Sequence, residues 1–403
     1  MLGVAQCASP WNQSSSVRRV LAPTLAVIGG GQLARMMAEP AAAMGVPLRL
    51  LAEAEGVSAA QVIPDHLVGD YRDLPTLRQV TAGCPVVTFD HEHVPTGHLY
   101  ALADDGVAVR PGPEALVHAQ DKAVMRERLG ALGVPCPRNA VVSSVADVER
   151  FGFPCVLKTT RGGYDGKGVW FVSSTAECHE AFASAEVSGV RILAEELVDF
   201  RRELSALVAR SPSGQAAAYP VVASTQEDGI CREVIAPAPD LSEALAGQAQ
   251  EIALRIAGAL DVTGVLAVEL FETTDGRVLV NELAMRPHNT GHWTQDGAVT
   301  SQFENHLRAV LDLPLGSPAP RARWTVMVNI LGGPDDSVGR LYDGYPHALA
   351  RDPFLRVHLY GKQLRPGRKV GHVNAYGDDL DDCLERARHA AAWFRGDLGD
   401  ESE

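Results

Sequence analysis

The sequence has few cysteines and no cysteine pair at C-x-x-C spacing. Its seven cysteines are dispersed and odd in number, so the sequence indicates neither a disulfide framework nor a zinc site. It also lacks an apolar run long enough to span a bilayer, and residues 1–23 contain no sustained apolar segment. We therefore expect a cytoplasmic protein that makes no membrane contact, with a disordered extension over residues 1–23.

Positive charge is also scarce. Lysine and arginine total 36 against 50 aspartate and glutamate residues, which gives a net charge of −14. This balance argues against nonspecific binding to nucleic acid or to an anionic membrane. An anionic small substrate would need a local basic cluster, and YGKQLRPGRKVGH contains one in Lys362, Arg365, Arg368 and Lys369. We interpret it as a phosphate-binding patch; the alternative is a solvated basic face.

The chain is long enough for several domains, and its first part has an alternating pattern. From Thr24 it reads TLAVIGGGQLARMM, which predicts an apolar strand, a glycine turn and a helix running towards Gly45. Further strand-like runs alternate with short helical stretches, so we predict an α/β fold that begins with a Rossmann-like parallel sheet over residues 24–120. Pro40 lies inside the first predicted helix, which should kink or end early there.

The GGGQL turn is a weak nucleotide-binding signal. Glycines let a backbone approach phosphate at a helix N-terminus, and Glu53 lies near the position expected for a ribose contact. The glycine spacing departs from G-x-G-x-x-G because position 34 is Ala34, which the looser form permits. Three interpretations of the turn are compatible with the sequence: a nicotinamide site, a turn that binds a substrate phosphate, and a connection between strand and helix with no binding role.

Two glutamates, Glu269 and Glu282, lie at equal distances from Asp275-Gly276 in VLAVELFETTDGRVLVNELA. Asp-Gly between apolar runs predicts a hairpin, which would make the two glutamates opposite neighbours with Cβ atoms roughly 5 Å apart. Two ionised carboxylates that close repel unless a cation lies between them, and Mg²⁺ prefers oxygen ligands and accepts phosphates as the rest of its shell. The hairpin therefore predicts a metal-nucleotide site; the alternative is a pair of solvated acids.

The segment RGGYDGKG is a more specific signal. It follows the strand that carries Lys158, and its four glycines would free the backbone to fold over phosphates while Lys158 and Lys167 supply positive charge. Asp165 has no evident structural role and is expected to face the substrate. The alternative is a flexible surface hairpin.

The strand RILAEELV is expected to end at a hinge. The backbone of Glu195 to Val198 would then be available to the edge of an adenine, and Glu203 to ribose hydroxyls. A buried strand followed by a charged turn is the alternative.

The run NELAMRPHNTGHWTQDG follows a predicted metal ligand directly. It contains Arg286, His288, Asn289, His292 and Trp293. Arginine suits planar oxyanions, and histidine moves protons near neutral pH. The alternative is a polar loop with satisfied histidines.

These elements in this order resemble the ATP-grasp superfamily of carboxylate-amine ligases. More closely, GGGQLARMM, TFDHEHVP, TTRGGYDGKG, the run from NELAMRPHNTGHWTQDG to LDLPLG, and RPGRKVGH are similar to the N5-carboxyaminoimidazole ribonucleotide synthetase family, over about Thr24 to His372. The resemblance implies an ATP-grasp fold with a small lid domain over residues 121–200, a catalytic domain with the glutamate hairpin over 201–318 and a C-terminal subdomain over 319–403.

The resemblance also implies a reaction and its participants. ATP would phosphorylate bicarbonate to carboxyphosphate, and the exocyclic amine of 5-aminoimidazole ribonucleotide would be carboxylated in purine biosynthesis, giving ADP and phosphate. The cofactors implied are ATP and Mg²⁺, or Mn²⁺ in its place, and the assembly implied is a homodimer.

Each site residue is implied by its position in the matching motifs. The ATP-binding residues would be Lys122, Lys158, Gly163, Tyr164, Asp165, Gly166, Lys167, Gly168, Glu195, Glu196, Leu197, Val198, Glu203, Gln226, Asn281 and Glu282. The ribonucleotide would be bound by Gln32, Leu33, Glu92, Tyr164, Asp165, Lys362, Arg368 and Lys369. Glu269 and Glu282 would hold the metal ion, and the catalytic residues would be Asp165, Arg286, His288 and Asn289.

Some positions depart from the family pattern, and rival functions exist. Gln226 stands where many relatives have histidine, and Gly30 and Ala34 differ from the usual GNGQLGRM. A formate-dependent phosphoribosylglycinamide transformylase is a rival within the superfamily, but the RPHNTGHWT and RPGRKVGH runs argue against it. An NAD-dependent dehydrogenase would rest on GGGQLA and Glu53, and it would leave the glutamate hairpin and RGGYDGKG without a purpose.

Overall fold

The fold is α/β and contains three sheets. The computed structural model describes residues 22–163, 167–333 and 341–398. Most of the predicted extension, residues 1–21, therefore lies outside the described residues, and so do Tyr164, Asp165 and Gly166. Among the helices that are described, none is long and apolar enough to cross a membrane.

The first sheet is the predicted Rossmann-like one. Its five parallel strands run in the order β3-β2-β1-β4-β5. They are β1 (Leu25–Ile28), β2 (Leu48–Ala52), β3 (His66–Val68), β4 (Val86–Phe89) and β5 (Ala108–Val109), with helices α1 (Gln32–Met44), α2 (Leu74–Thr81), α3 (Thr96–Asp104) and α4 (Pro113–Gln120). Every residue of β1 and β4 is buried, as expected for parallel strands covered on both faces. The chain leaves β1 for one side of the sheet and reaches β4 on the other, so a topological switch point lies at their carboxyl ends.

The first helix does not end at Pro40. Helix α1 continues to Met44 and stops at Gly45, whose φ of 69° suits glycine. A proline removes only one hydrogen bond of a helix. Met37 and Ala41 on either side of Pro40 are buried in the core, and this packing keeps the last turn helical.

The second sheet has four antiparallel strands in the order β6-β9-β7-β8. It follows α5 (Lys122–Ala131) and consists of β6 (Asn139–Val142), β7 (Cys155–Thr159), β8 (Val169–Val172) and β9 (Ile192–Glu196), with α6 (Val145–Phe151) and α7 (Cys178–Ser188). The predicted pair of strands on either side of the glycine-rich loop is β7 and β8, and their pairing is confirmed.

The third sheet has nine strands and includes the glutamate hairpin. Its strands are β10 (Phe200–Arg210), β11 (Ala216–Ala218), β12 (Val222–Glu227), β13 (Ile230–Ala236), β14 (Gly264–Thr273), β15 (Val278–Ala284), β16 (Trp324–Leu331), β17 (Arg356–Leu359) and β18 (Lys369–Gly377). The helices of this part are α8 (Glu243–Ala259), α9 (Thr294–Gly297), α10 (Gln302–Val310), α11 (Tyr345–Arg351) and α12 (Leu380–Arg395). Strand β13 pairs with β16, so the sheet continues across the proline-rich linker near residue 318.

The hydrophobic core joins the first sheet to the third. One cluster of buried side chains includes Ile28 and Phe89 of the first sheet, Met125 of α5 and Leu266 of β14. A second cluster packs α1 against α10 and reaches Tyr360, which precedes β18. These shared cores fix the carboxyl ends of β1 and β4 beside the hairpin, where the site lies.

Candidate active site

A cavity of about 1030 Å³ lies where the three sheets meet. Its wall takes residues from the first sheet, the glycine-rich loop, the segment after β9, the hairpin and the basic stretch. Of the site residues that the family motifs imply and the structure describes, all line this cavity except Gly168. Tyr164, Asp165 and Gly166 lie outside the described residues.

The hairpin pairs Glu269 with Glu282, as predicted. Its connection differs from a turn at Asp275-Gly276 alone, because the amide of Thr273 donates to the carbonyl of Arg277 at 2.9 Å and leaves three residues in the loop. A bulge on β15 at Asn281 then restores the opposite pairing. A bulge re-aims the side chains beside it, which accounts for Asn281 and Glu282 both lining the cavity although they are consecutive.

The acid pair is compensated by cations and donors of the protein itself. Lys122 Nζ donates to Glu282, and His288 Nε2 lies 3.1 Å from Glu269 Oε1. Burial opposes the charge of Glu269, but the hydrogen bond from His288 and the charges of Lys122 and Arg286 outweigh it and lower the pKa of Glu269. Both carboxylates remain partly exposed to the cavity, at 31% and 39% of the side chain.

The pair would supply only part of a metal-binding shell. Within the described part of the chain, no group of three or more His, Cys, Asp or Glu residues could hold a metal ion. Two carboxylates are nevertheless hard oxygen donors, and Mg²⁺ commonly binds through one or two of them together with phosphates and water. The donor set therefore fits such an ion if a phosphate-bearing ligand completes the shell.

The carboxylate of Glu195 is used inside the protein. It is 2% exposed and forms ion pairs with Arg126 and with Lys158, whose Nζ lies 2.7 Å away. Burial raises its pKa, but the charges of Arg126 and Lys158 outweigh burial and lower the pKa to about 2. Lys158 also donates to Asn281 Oδ1 at 3.1 Å. At this hinge a ligand would therefore meet the backbone and the side chains that follow Glu195.

Glu203 and Gln226 lie together on neighbouring strands. Glu203 of β10 faces the same side as Glu269, and burial together with the charge of Glu269 raises the pKa of Glu203 to about 7. Gln226 forms a hydrogen bond with Glu203 that partly offsets this rise. Nearby, the rings of Phe200 and Phe271 stack at 4.7 Å and give this end of the cavity an apolar wall.

Glu92 holds Arg286 and the start of the following loop. One oxygen of Glu92 accepts from the amide of Met285 and the other from Arg286 Nε, both at 2.9 Å. Burial lowers the pKa of Arg286, but the charges of Glu92, Asp90 and Glu269 outweigh it, so the net pKa is raised. Arg286 is therefore a fixed cation in the cavity wall.

The same loop divides into cavity residues and core residues. His288 and Asn289 line the cavity, and neither polar atom of the Asn289 side chain has a hydrogen-bond partner among the described residues. His292 and Trp293, in contrast, are 0% and 1% exposed and do not line it. Trp293 packs edge-on against Tyr219, and burial holds the pKa of His292 well below its usual value. These two residues therefore belong to the core rather than to the cavity wall, although His292 Nε2 and Trp293 Nε1 have no hydrogen-bond partner among the described residues.

The GGGQL turn is packed by carboxylates of its own domain. The amide of Gly30 donates to Glu53 at 3.0 Å, and the amide of Ala34 donates to Asp90 at 2.7 Å. A Cβ atom at Gly31 would lie 2.1 Å from Asp90 Oδ2, so only glycine fits there. Glu53 thus holds the turn, and it does not line the cavity.

The basic stretch faces this turn across the cavity. Lys362 Nζ donates to Gln32 Oε1 at the start of α1, and Arg368 and Lys369 line the same wall. The stretch is held in place at Gly332, whose amide donates to the carbonyl of Arg368 at 2.8 Å. Arg365 does not line the cavity.

Sequence comparisons place this arrangement among known proteins. Residues 22–120 match the ribonucleotide synthetase preATP-grasp domain, residues 127–303 the ATP-grasp domain, and residues 325–386 the phosphoribosylaminoimidazole carboxylase C-terminal domain. The N5-carboxyaminoimidazole ribonucleotide synthase of Mycobacterium tuberculosis is 53% identical over 398 residues, which cover 98% of this chain and 92% of the relative. The chain belongs to the N5-carboxyaminoimidazole ribonucleotide synthase family. The predicted ATP-grasp fold and ligase class are confirmed.

Solved structures of the synthase family agree with the fold. The enzyme from Thermus thermophilus is 37% identical with a TM-score of 0.81, and the match covers 94% of this chain and 100% of that one. The Aspergillus clavatus enzyme, solved in complex with ADP and 5-aminoimidazole ribonucleotide, is 31% identical with a TM-score of 0.84, covering 93% and 99%.

Asp90 is a cavity residue of this synthase that was not predicted as part of the site. It follows β4 directly at the switch point beside the GGGQL turn, and burial raises its pKa. The signal was present in the sequence, because TFD ends a buried parallel strand, and ligands of open α/β sheets bind at the carboxyl ends of such strands.

Proposed function

We propose that this chain carboxylates the exocyclic amine of 5-aminoimidazole ribonucleotide with bicarbonate, at the expense of ATP and by way of carboxyphosphate. The observation that carries the proposal is the shared cavity of about 1030 Å³, whose wall combines the glutamate pair and two lysines with Gln32, Leu33 and the basic stretch. Its size suits two nucleotide-sized ligands together.

ATP belongs at the hairpin end of the cavity. Lys122 and Lys158 would bind its phosphates, and residues 163–168 would cover them. The hinge over residues 195–198 would hold adenine against the apolar wall, and Glu203 with Gln226 would take the ribose hydroxyls. The support is the charge pattern, because Lys122 pairs with Glu282 and fixes a cation beside an anion there.

Glu269, Glu282 and Asn281 would hold Mg²⁺, or Mn²⁺, with the phosphates of ATP. The bound ion would offset the negative charge that moves with the phosphoryl group. The protein side of this arrangement is the ionised state of Glu269, which its lowered pKa supports.

The ribonucleotide belongs at the opposite end, with its phosphate on Lys362, Arg368 and Lys369 and its base near Glu92. Bicarbonate would lie between the two nucleotides, against Arg286, His288 and the side-chain amide of Asn289. Arginine and an amide N–H match the planar oxygens of bicarbonate and of the carboxyl part of carboxyphosphate.

The proposed chemistry has two steps. A bicarbonate oxygen forms a bond to the γ-phosphorus of ATP, and the bond from that phosphorus to the ADP oxygen breaks. The amine nitrogen of the ribonucleotide then bonds to the carboxyl carbon of carboxyphosphate, phosphate leaves, and the nitrogen loses a proton. A fixed Arg286, together with residues 163–168 covering the phosphates, would protect the labile intermediate from water.

A coupled ADP-release assay tests the proposal. We expect ADP release that requires Mg²⁺ and bicarbonate and is stimulated by 5-aminoimidazole ribonucleotide. ADP release with formate and phosphoribosylglycinamide instead would favour the transformylase, and turnover of NAD(H) without ATP consumption would favour the dehydrogenase. Homodimer assembly and a cytoplasmic location remain predictions, which sedimentation of the purified chain and cell fractionation can check.

A further inference from the structure

A chain of hydrogen bonds runs behind the cavity wall to His288. Ser205 Oγ lies 2.8 Å from Thr290 Oγ1, Thr290 Oγ1 lies 2.9 Å from His288 Nδ1, and His288 Nε2 lies 3.1 Å from Glu269 Oε1. Ser205 and Thr290 are 1% and 3% exposed, and neither lines the cavity. Substrate therefore meets His288 but not the two hydroxyls.

The backbone amide of Thr290 indicates which ring nitrogen of His288 carries the proton. The amide N–H of Thr290 also points at His288 Nδ1, at 3.4 Å, and an N–H can only donate. Nδ1 must therefore accept, from this amide and from the hydroxyl of Thr290. Thr290 Oγ1 in turn accepts from Ser205, which fixes the direction of the whole chain.

The other side of the ring demands the same tautomer. Glu269 Oε1 lies 3.1 Å from Nε2, and a hydrogen bond between them needs the hydrogen on Nε2, because a carboxylate oxygen accepts. Nε2 must therefore carry a hydrogen towards it. In the reverse tautomer, the hydrogen on Nδ1 would face the amide N–H of Thr290, and the lone pair of Nε2 would face the carboxylate of Glu269. Both contacts would be repulsive, so this tautomer is disfavoured.

We infer that Ser205 and Thr290 are positioning residues that lock His288 as an Nε2–H donor, and that His288 presents this hydrogen to the carboxylate of Glu269 and to an anion bound beside it rather than acting as the base that deprotonates the amine. This inference rests on the proposed function for the identity of the anion, bicarbonate or carboxyphosphate. A base would need a free lone pair on the cavity side, whereas Nε2 carries a hydrogen there and the Nδ1 lone pair faces buried donors.

The tautomer of His288 can be determined by NMR spectroscopy, without an activity measurement. In protein labelled with ¹⁵N-histidine, the long-range proton-nitrogen spectrum distinguishes a protonated ring nitrogen from an unprotonated one, and His288→Gln identifies the signals among the 13 histidines. We expect an unprotonated Nδ1 and a protonated Nε2 at His288 in the wild type. A protonated Nδ1 would overturn the inference, whether or not the proposed carboxylation is observed.

Variants test the role of the hydroxyls. Thr290→Val removes the hydroxyl donor 2.9 Å from Nδ1 and leaves only the long amide contact of 3.4 Å, so the Nε2–H tautomer should account for a smaller share of the His288 signals. We expect kcat to fall roughly tenfold while the KM for ATP stays unchanged. Thr290→Ser keeps the hydroxyl and should restore both, and Ser205→Ala should show a smaller shift in the same direction.

Thr325→Val is the matched control. Thr325 is 1% exposed, and its hydroxyl has no hydrogen-bond partner among the described residues, so the variant removes a buried hydroxyl that directs nothing. It should leave the His288 signals and kcat as in the wild type. If Thr290→Val folds, keeps the wild-type tautomer and retains full kcat, the inference is wrong. If Thr290→Val does not fold, the wild-type spectrum and Ser205→Ala decide.

Discussion

At the scale of single residues, the glutamate pair has a chemical role that can be separated from a structural one. Glu269 and Glu282 face the cavity, and their protein contacts are single interactions with His288 and Lys122. A glutamine at either position keeps the volume and a hydrogen-bond acceptor but removes the charge. Because exposed or half-exposed ion pairs contribute about 0–1 kcal/mol, folding should change little.

We therefore predict that Glu269→Gln and Glu282→Gln each lower kcat for ADP release at least roughly a hundredfold, since the charge that would hold the metal ion is lost. The thermal midpoint should stay within a few degrees of the wild type, and the Mg²⁺ concentration for half-maximal activity should rise. Glu251→Gln, on an exposed position of α8, is the control and should change neither quantity. Unchanged activity in both cavity variants would remove the pair from the metal site.

At the scale of elements, the loop before β3 holds the basic stretch in place. Ser58 Oγ donates to the carbonyl of Tyr360 at 2.6 Å, and Gln61 Nε2 donates to the carbonyl of Gly361 at 2.7 Å. Gly361 has a φ of 63°, and a Cβ atom there would lie 2.1 Å from Gln61 Oε1. The first sheet therefore sets the starting point of the segment that carries Lys362.

Removing these hydrogen bonds should weaken the binding of 5-aminoimidazole ribonucleotide but not that of ATP. We predict that Ser58→Ala and Gln61→Ala each raise the KM for 5-aminoimidazole ribonucleotide by about tenfold, because ligand-binding side chains lose their fixed position. The KM for ATP should not change, since the hinge and hairpin are untouched. Gln79→Ala, at an exposed position of α2, serves as control. Equal rises in both KM values would contradict the assignment of the basic stretch to the ribonucleotide.

The elements also show what the sequence could and could not predict. Alternating strands and helices with glycine turns predict the parallel sheet, because these patterns act locally. The glutamate pairing is predicted correctly, yet the bulge at Asn281 that restores it is not, because a bulge depends on neighbouring strands. His292 and Trp293 resemble site residues in sequence, and only tertiary packing assigns them to the core. The buried position of Arg126 is not predicted, because the charged sequence KAVMRERLGA is typical of an exposed helix.

At the scale of the whole molecule, Arg126 connects the parts that enclose the cavity. Lying on α5 and 3% exposed, it pairs with Glu195 of the second sheet and donates to the carbonyls of Val280 at 2.9 Å and Asn281 at 2.7 Å in the third. A single guanidinium thus fixes the hinge strand against the glutamate hairpin. Arginine suits this place because its fork of donors satisfies several acceptors at once.

Arg126→Met should therefore destabilise the protein strongly. Removing one partner of a buried ion pair costs about 3–5 kcal/mol, because the remaining charge stays buried. Urea unfolding at pH 7, followed by tryptophan fluorescence, should show a clearly lower midpoint. Arg128→Met is the control, on an exposed position of the same helix. Among the described residues, the Arg128 side chain donates only to the carbonyl of Ala259, at 3.2 Å, so this variant should change the midpoint little.

The pH dependence of the same pair gives an independent check. The folded pKa of Glu195, about 2, lies below its ordinary value of 4.5, so its contribution to stability is complete above pH 4.5 and is lost as the pH falls towards 2. In Arg126→Met the pKa of Glu195 in the folded protein should rise towards its ordinary value, because the charge that lowers it most is gone. The variant should therefore lose less stability than the wild type as the pH falls from 4.5 towards 2. Wild type and variant losing stability equally between pH 4.5 and 3 would show that Lys158, rather than Arg126, carries the interaction that holds the sheets together.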